Sequence, residues 1–388
     1  MKNRSVLVLI LVILSIVFIG LSNEISQIWT NYSSQDYSDT PGQARTGWKV
    51  KTIQAESIAP HELDFIDEDL GYGYSNTGAL SIVYKTSNSG RSWEEIFSSK
   101  DLLIHDVFFA SGSEGFLLAA KVSRSSSLMV DKGSVIIKTQ DGGRTWRTVF
   151  DSNSFILREI GFTKEGVGVV VGARPTNRYF SVNLVLFTRD KGETWEDSSE
   201  SLNQKALNSV GRIDDGLMKV LIKDSDIYTL SESRRIYKSS DEGKSWNLFS
   251  QLKDDPGQTA INNFGMLENG SFWLSGGANS LEGTWGMVSV LNKHLVWKTN
   301  RLDGYCFTAV ERLSDNEVIA CGARIPPFKP KGTPDPNEAV ILRSPDNGKN
   351  WETLYTGPAS SACLSASKLS ENLIYISQGN GEGILLQR

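Results

Sequence analysis

The side chains in this sequence with a capacity for chemistry are judged first by their spacing. An aspartate recurs within Thr139-Gln140-Asp141-Gly142-Gly143-Arg144-Thr145-Trp146, Thr188-Arg189-Asp190-Lys191-Gly192-Glu193-Thr194-Trp195 and Ser239-Ser240-Asp241-Glu242-Gly243-Lys244-Ser245-Trp246. A carboxylate in a turn is of the type used in general acid-base catalysis, yet a reaction centre needs it once and here it returns unit after unit. Two variants favour an architectural role. Thr86-Ser87-Asn88-Ser89-Gly90-Arg91-Ser92-Trp93 carries Asn88, whose amide oxygen accepts a hydrogen bond and cannot act as a general base, and Ser344-Pro345-Asp346-Asn347-Gly348-Lys349-Asn350-Trp351 keeps Asp346. His61, His105 and His294 lie far apart with no second ligand at zinc-like spacing, and no calcium-loop pattern occurs. No metal and no other cofactor is expected. Cys306, Cys321 and Cys363 are odd in number, so at least one thiol stays free. Cys306 and Cys363 occupy similar places in successive units, which leaves a bridge between them open; buried, unpaired thiols are the plainer reading.

The elements that position these residues follow from the same ladder. Trp93, Trp146, Trp195 and Trp246 follow one another at intervals of 53, 49 and 51 residues, and Trp351 comes 105 after Trp246. A decayed copy therefore lies midway, where Asn292 and Trp297 hold the Asp and Trp positions and His294 replaces the glycine. Trp48 adds a seventh rung. Each interval contains about four β-rich runs separated by turn residues, the pattern of a propeller blade. After Trp351 one strand and then only three more fit before Arg388, while residues 48–53 form a strand with no blade of its own. The expected fold is all-β: a seven-bladed β-propeller of four-stranded antiparallel blades over residues 47–388, closed by the N-terminal strand as the outermost member of the last blade. Such closure removes the open sheet edge of a linear array.

Within each turn the aspartate can accept its own turn's N–H groups, the glycine supplies a positive φ, and the tryptophan covers the hairpin. The structural set is Asn88, Trp93, Asp141, Gly143, Trp146, Asp190, Gly192, Trp195, Asp241, Gly243, Trp246, Asp346, Gly348 and Trp351. These units resemble the Asp-box, or BNR, repeats of sialidases, sortilin-type receptors and the photosystem II stability/assembly factor family. Seven blades of about 50 residues resemble the assembly factors more than six-bladed sialidases. The resemblance to assembly factors implies an arginine-rich patch that holds partner polypeptides, carried over as a class to Arg174, Arg178, Arg234, Arg235 and Arg324. The resemblance to sialidases implies a Tyr nucleophile and three arginines for the substrate carboxylate. Arg324-Ile325-Pro326 matches the letters of their Arg-Ile-Pro motif, but it comes late in the chain, whereas theirs precedes the first box.

In a four-stranded meander the first-to-second turns share a face with the repeated boxes. Those turns are acidic: Asp67, Glu68 and Asp69, then Glu114, Glu165, Asp224, Asp226, Glu268, Asp315 and Glu371. The opposite connections read as longer loops that carry Lys121, Arg124, Lys132, Arg174, Arg178, Arg234, Arg235, Arg324, Lys329 and Lys331 against Asp131, Glu232, Glu282, Asp335, Glu338 and Glu382. Long loops with clustered arginine favour carboxylate or phosphate partners; scattered solvated charges are the bland alternative. The formal net charge of -5 excludes the footprint of a nucleic-acid binder. Lys2 and Arg4 precede an uncharged, Val/Leu/Ile-rich run in residues 5–22, which reads as a signal peptide or a signal anchor, and residues 23–46 read as a polar linker. Both readings place the propeller outside the cytoplasm, membrane-tethered or secreted. The expected function is a non-enzymatic, assembly-factor-like propeller that engages a protein partner or an anionic surface. A sialidase-like glycoside hydrolase and a carbohydrate-binding propeller without hydrolysis are the alternatives.

Overall fold

A computed structural model describes residues 47–388 apart from 54–59, 61, 78–79, 126–127, 178–179, 207–214, 253–259, 281–282, 293 and 326–337. Segments 1–22 and 23–46, together with His61, Arg178, Lys329 and Lys331, lie outside the described residues. No helix among the described residues is long and apolar enough to cross a membrane.

The described strands form seven four-stranded antiparallel sheets. Blades 1 to 7 begin with the inner strands Glu62–Phe65, Leu102–Phe109, Ile156–Phe162, Leu217–Lys223, Ala260–Met266, Tyr305–Arg312 and Cys363–Ser370. The middle strands of each blade are sandwiched between neighbouring blades, so they read as continuous apolar runs and not as alternating ones. Val169, Val170 and Val171 in blade 3 are all fully buried, as is Val185 opposite Val171. The outer strands, with one wet face, carry the charge.

Blade 7 has the order Lys49–Ile53, Gly383–Gln387, Leu373–Gln378, Cys363–Ser370. Its first-named strand comes from the N-terminus and pairs from Lys49↔Gln387 to Ile53↔Gly383. Trp48 is buried in one core cluster with Ile384 and Leu386. The seam to blade 1 is sealed by Ile53, Tyr84, Trp93, Tyr375 and Leu385, with the Trp93 indole N–H donating to the Tyr375 hydroxyl at 3.4 Å.

Six inner strands carry a register shift near their start, for example between Leu157 and Glu159 and between Phe307 and Ala309. The bulge pushes an inner-strand carbonyl against the neighbouring strand. A Cβ on Gly172 would sit 2.0 Å from the Ile156 carbonyl oxygen, and one on Gly322 2.0 Å from that of Cys306, so both positions require glycine.

The structure departs from the sequence expectation in three places. The connections expected as long basic loops are largely extended hairpins: Gly115–Ser125 with Leu128–Thr139, and Gly168–Asn177 with Phe180–Thr188. Lys121, Arg124, Lys132 and Arg174 thus stand on strands, because the ladder runs on past the blade body. Blade 3 has an outer strand of only Glu196–Asp197, after which helix α1 (Ser199–Ala206) takes over. There the Ser198 N–H donates to the Val185 carbonyl at 3.0 Å and Leu202 is buried beside Val185, Leu217 and Trp246. Finally, neither unpaired thiols throughout nor a Cys306–Cys363 bridge is found; Cys321 is joined to Cys363 and Cys306 is free. The bulge after Phe307 explains it: Cys306 packs toward Gly277 of blade 5, whereas Cys321, on the second strand of blade 6, faces the inner strand of blade 7.

Candidate functional site

Three regions have residues of the right kinds for function: the repeated turns, the opposite basic face and the axial channel. In the turns the carboxylates are spent on structure. The Asp141 carboxylate accepts the Thr145 N–H at 2.8 Å, the Thr145 hydroxyl at 2.6 Å and the Thr139 hydroxyl at 2.9 Å. The Thr139 oxygen in turn accepts the Gly143 N–H at 2.9 Å, and the Trp146 indole N–H donates to the Gly143 carbonyl at 2.9 Å. The Thr145 hydroxyl, followed by its N–H, holds the Asp141 carboxyl down to about 2, so it cannot deliver a proton near neutrality. Asp190, Asp241 and Asp346 repeat the pattern with Thr194, Ser245 and Asn350. The residue after each aspartate also takes a left-handed conformation, Lys191 at φ 58° and Glu242 at φ 62°, ahead of the glycine. In the decayed unit Asn292 still accepts the His294 and Val296 N–H groups, at 2.9 and 3.1 Å. Among the described residues the Trp297 indole N–H has no acceptor, and neither does that of Trp195 in a complete unit.

On the opposite face four cations are held by carboxylates. Lys121 pairs with Asp151, Arg174 with Asp197, Arg235 with Asp215 at 3.4 Å, and Arg324 with Glu338 at 3.1 Å. Arg174 also lies over the Phe155 ring at 4.9 Å, and Arg234, at φ 58° in its turn, donates to the Glu232 carbonyl. Asp151, Asp197 and Asp215 belong to other strands and connections of the same blades, so counting charges in the hairpins alone overlooks them. A guanidinium on one carboxylate keeps free N–H donors. Arg324 and Arg174 remain 54% and 39% exposed in their side chains, enough to contact a partner. Arg124 and Lys132 lie on strands of the blade 2 hairpin.

The third region was not singled out by sequence reasoning. The inner strands of all seven blades line an axial cavity of about 490 Å³. Their register places Glu62, Asp106, Glu159, Lys219 and Asn263 at one level, with Ala309 and Ser365 completing it. These side chains stitch blades together. Asp106 accepts the Ile160 N–H at 2.9 Å, Glu159 accepts the Val220 N–H and pairs with Lys219 at 3.2 Å, and Asn263 accepts the Val310 N–H at 3.1 Å. Each captures a backbone donor of the next blade just past its bulge. Burial, with Glu159 beside it, drives the Asp106 carboxyl well above its usual range; Glu159 together with Glu62 and Asp106 outweighs burial at Lys219 and raises that ammonium. Two residues further along the strands, Asp64 of blade 1 and Glu311 of blade 6 form a second level with Phe108 of blade 2. Aligning the units on their bulges would have revealed both levels, but a bulge shifts the alternation that identifies a wall residue. No arginine lines the cavity among the described residues, so a sialic-acid carboxylate finds no arginine triad there.

No family model matches the chain, and no curated protein matches it by sequence. Solved structures similar to it include YCF48 bound to D1 peptide, at 15% identity and a TM-score of 0.56 over 90% of this chain and 100% of that one. YCF48 from Cyanidioschyzon merolae matches at 15% identity and 0.56 over 88% and 98%. The GH74 xyloglucanase from Xanthomonas campestris matches at 15% and 0.55 over 86% of this chain and 52% of that one. At such identities the likeness is one of fold, a seven-bladed propeller like that of YCF48.

Proposed function

We propose that this chain is a binding propeller, not an enzyme, that holds a protein partner against its basic face. The observation that carries the reading is the set of part-exposed guanidinium groups of Arg174 on blade 3, Arg235 on blade 4 and Arg324 on blade 6, each oriented by one carboxylate. A preorganised arginine loses little entropy on meeting a carboxylate-rich segment of a partner. The fold shared with a YCF48 that binds D1 peptide supports a polypeptide as that partner. The Cys321–Cys363 disulfide supports an oxidising compartment, in keeping with an extracytoplasmic location, either tethered through residues 1–22 or secreted.

The test is affinity capture from detergent-solubilised membranes, comparing the wild type with a variant carrying Arg174→Glu, Arg234→Glu, Arg235→Glu and Arg324→Glu. Partners retained by the wild type should be lost from the variant, with capture run at a temperature where circular dichroism shows both proteins folded. Equal recovery by both removes the basic face from the proposal.

A further inference from the structure

The two levels of the axial channel differ in what their carboxylates have to do. At the first, Asp106 and Glu159 hold neighbouring blades and Lys219 pairs with Glu159. At the second, Asp64 and Glu311 make no hydrogen bond and no ion pair with any described residue, although both border the cavity and lie near enough to sense one another's charge. Both side chains border the cavity: Asp64 keeps an exposed surface and Glu311 is half-buried. Enclosure raises the Asp64 carboxyl to about 6. It raises that of Glu311 to about 8, where the nearby Lys368 offsets only part of the effect and Asp64 adds to it. A half-buried Glu311 without a partner costs stability, and neither acid stitches blades together.

Three further features point to a cation as the missing partner. Phe108 borders the cavity at the same level, and an aromatic face beside carboxylates suits an ammonium group. The inner strands run toward the face of the repeated turns, so this level lies nearer the mouth ringed by Asp67, Asp69, Glu268, Asp315 and Glu371, whose field draws cations in. Glu62 stands two residues before Asp64, about 6.7 Å away along the strand, which gives an extended ligand a second carboxyl. A metal ion fits poorly, because no group of three or more acidic, His or Cys side chains among the described residues could hold one.

We propose that Asp64 and Glu311 form the recognition site for a small organic polycation, of the diamine or polyamine class, lying along the axial channel. The site is separate from the basic face, on which nothing in it depends.

Isothermal titration of the full chain with spermidine and putrescine tests it, with magnesium and calcium chloride at matched ionic strength as comparators. Saturable amine binding is expected, weakened at least tenfold in Glu311→Gln and in Asp64→Asn. Both amides replace groups without partners, so both variants should fold with unchanged or raised melting temperature. If one fails to fold, the other carries the test. Absence of amine binding to the wild type overturns the proposal, as does equal affinity in the folded variants, or saturable binding of the divalent ions alone.

Discussion

At the scale of single residues, carboxylates of one type follow opposite fates according to their donors. Asp141, ringed by Thr145 and Thr139, is held ionised, whereas Glu311, without donors, has its carboxyl raised to about 8 and gives up its proton near neutrality only when a cation binds beside it. The consequences for stability have opposite signs. A carboxyl raised in the folded state binds a proton there more tightly than in the unfolded chain, so its contribution is present below the ordinary value of 4.5 and is lost as the pH rises toward about 8. Asp64 acts in the same direction between 3.8 and about 6. Asp141 opposes them only in acid, losing its contribution as the pH falls from 3.8 through about 2. Urea denaturation between pH 5 and 8, at conditions spanning roughly the Glu311 transition, should therefore show stability falling with pH, and Glu311→Gln should flatten that slope. An unchanged slope in the variant would place the titration elsewhere.

At the scale of the element, the decisive device is the borrowed strand of blade 7. The segment from Lys49 to Ile53 pairs with Gly383–Gln387, and Trp48 anchors it among Ile384 and Leu386 with the Arg388 guanidinium 5.6 Å from its ring centre. Without it, Gly383–Gln387 becomes an open edge. Trp48→Ala should cost about 3 to 5 kcal/mol, the usual range for truncating a buried aromatic. Chemical denaturation measures that loss, and limited proteolysis should then cut first near the two ends of the chain. A loss as small as that of an exposed-site variant such as Leu248→Ala would mean that the closing strand is dispensable. The Cys321–Cys363 bridge fastens blade 6 to blade 7 at the adjoining seam and so reinforces the same region.

At the scale of the molecule, antiparallel four-stranded blades sort their connections onto two faces, and the acidic turns of Asp67, Glu268 and Asp315 fall on the side away from Arg174, Arg235 and Arg324. A protein of net negative charge thereby presents a local field of the other sign, although Asp151, Asp197, Asp215 and Glu338 moderate it. Exposed pairs of this kind add little to stability, which leaves their arginines free to serve recognition. If the basic face holds the partner, affinity should fall about tenfold between roughly 50 and 300 mM salt, mostly through slower association. Surface plasmon resonance with a partner recovered by capture would read this directly, and a salt-independent association rate would contradict it.

The spacing of Trp93, Trp146, Trp195, Trp246, Trp297 and Trp351, with the stray strand after Trp48, was sufficient to establish blade number, strand count and ring closure, because each turn depends on contacts within about eight residues and a sheet edge must be covered. The cysteine pairing, the neutralising partners of the arginines and the two levels of the channel depended on tertiary structure. Each of these arises where separate blades meet: a one-residue bulge decides whether Cys306 or Cys321 faces blade 7, and the ring brings Asp64 and Glu311, 247 positions apart in the chain, to one level of the same cavity. Local periodicity records which way a strand's side chains alternate, and a bulge resets that alternation, leaving as its sign only a glycine on the neighbouring strand, such as Gly172 or Gly322.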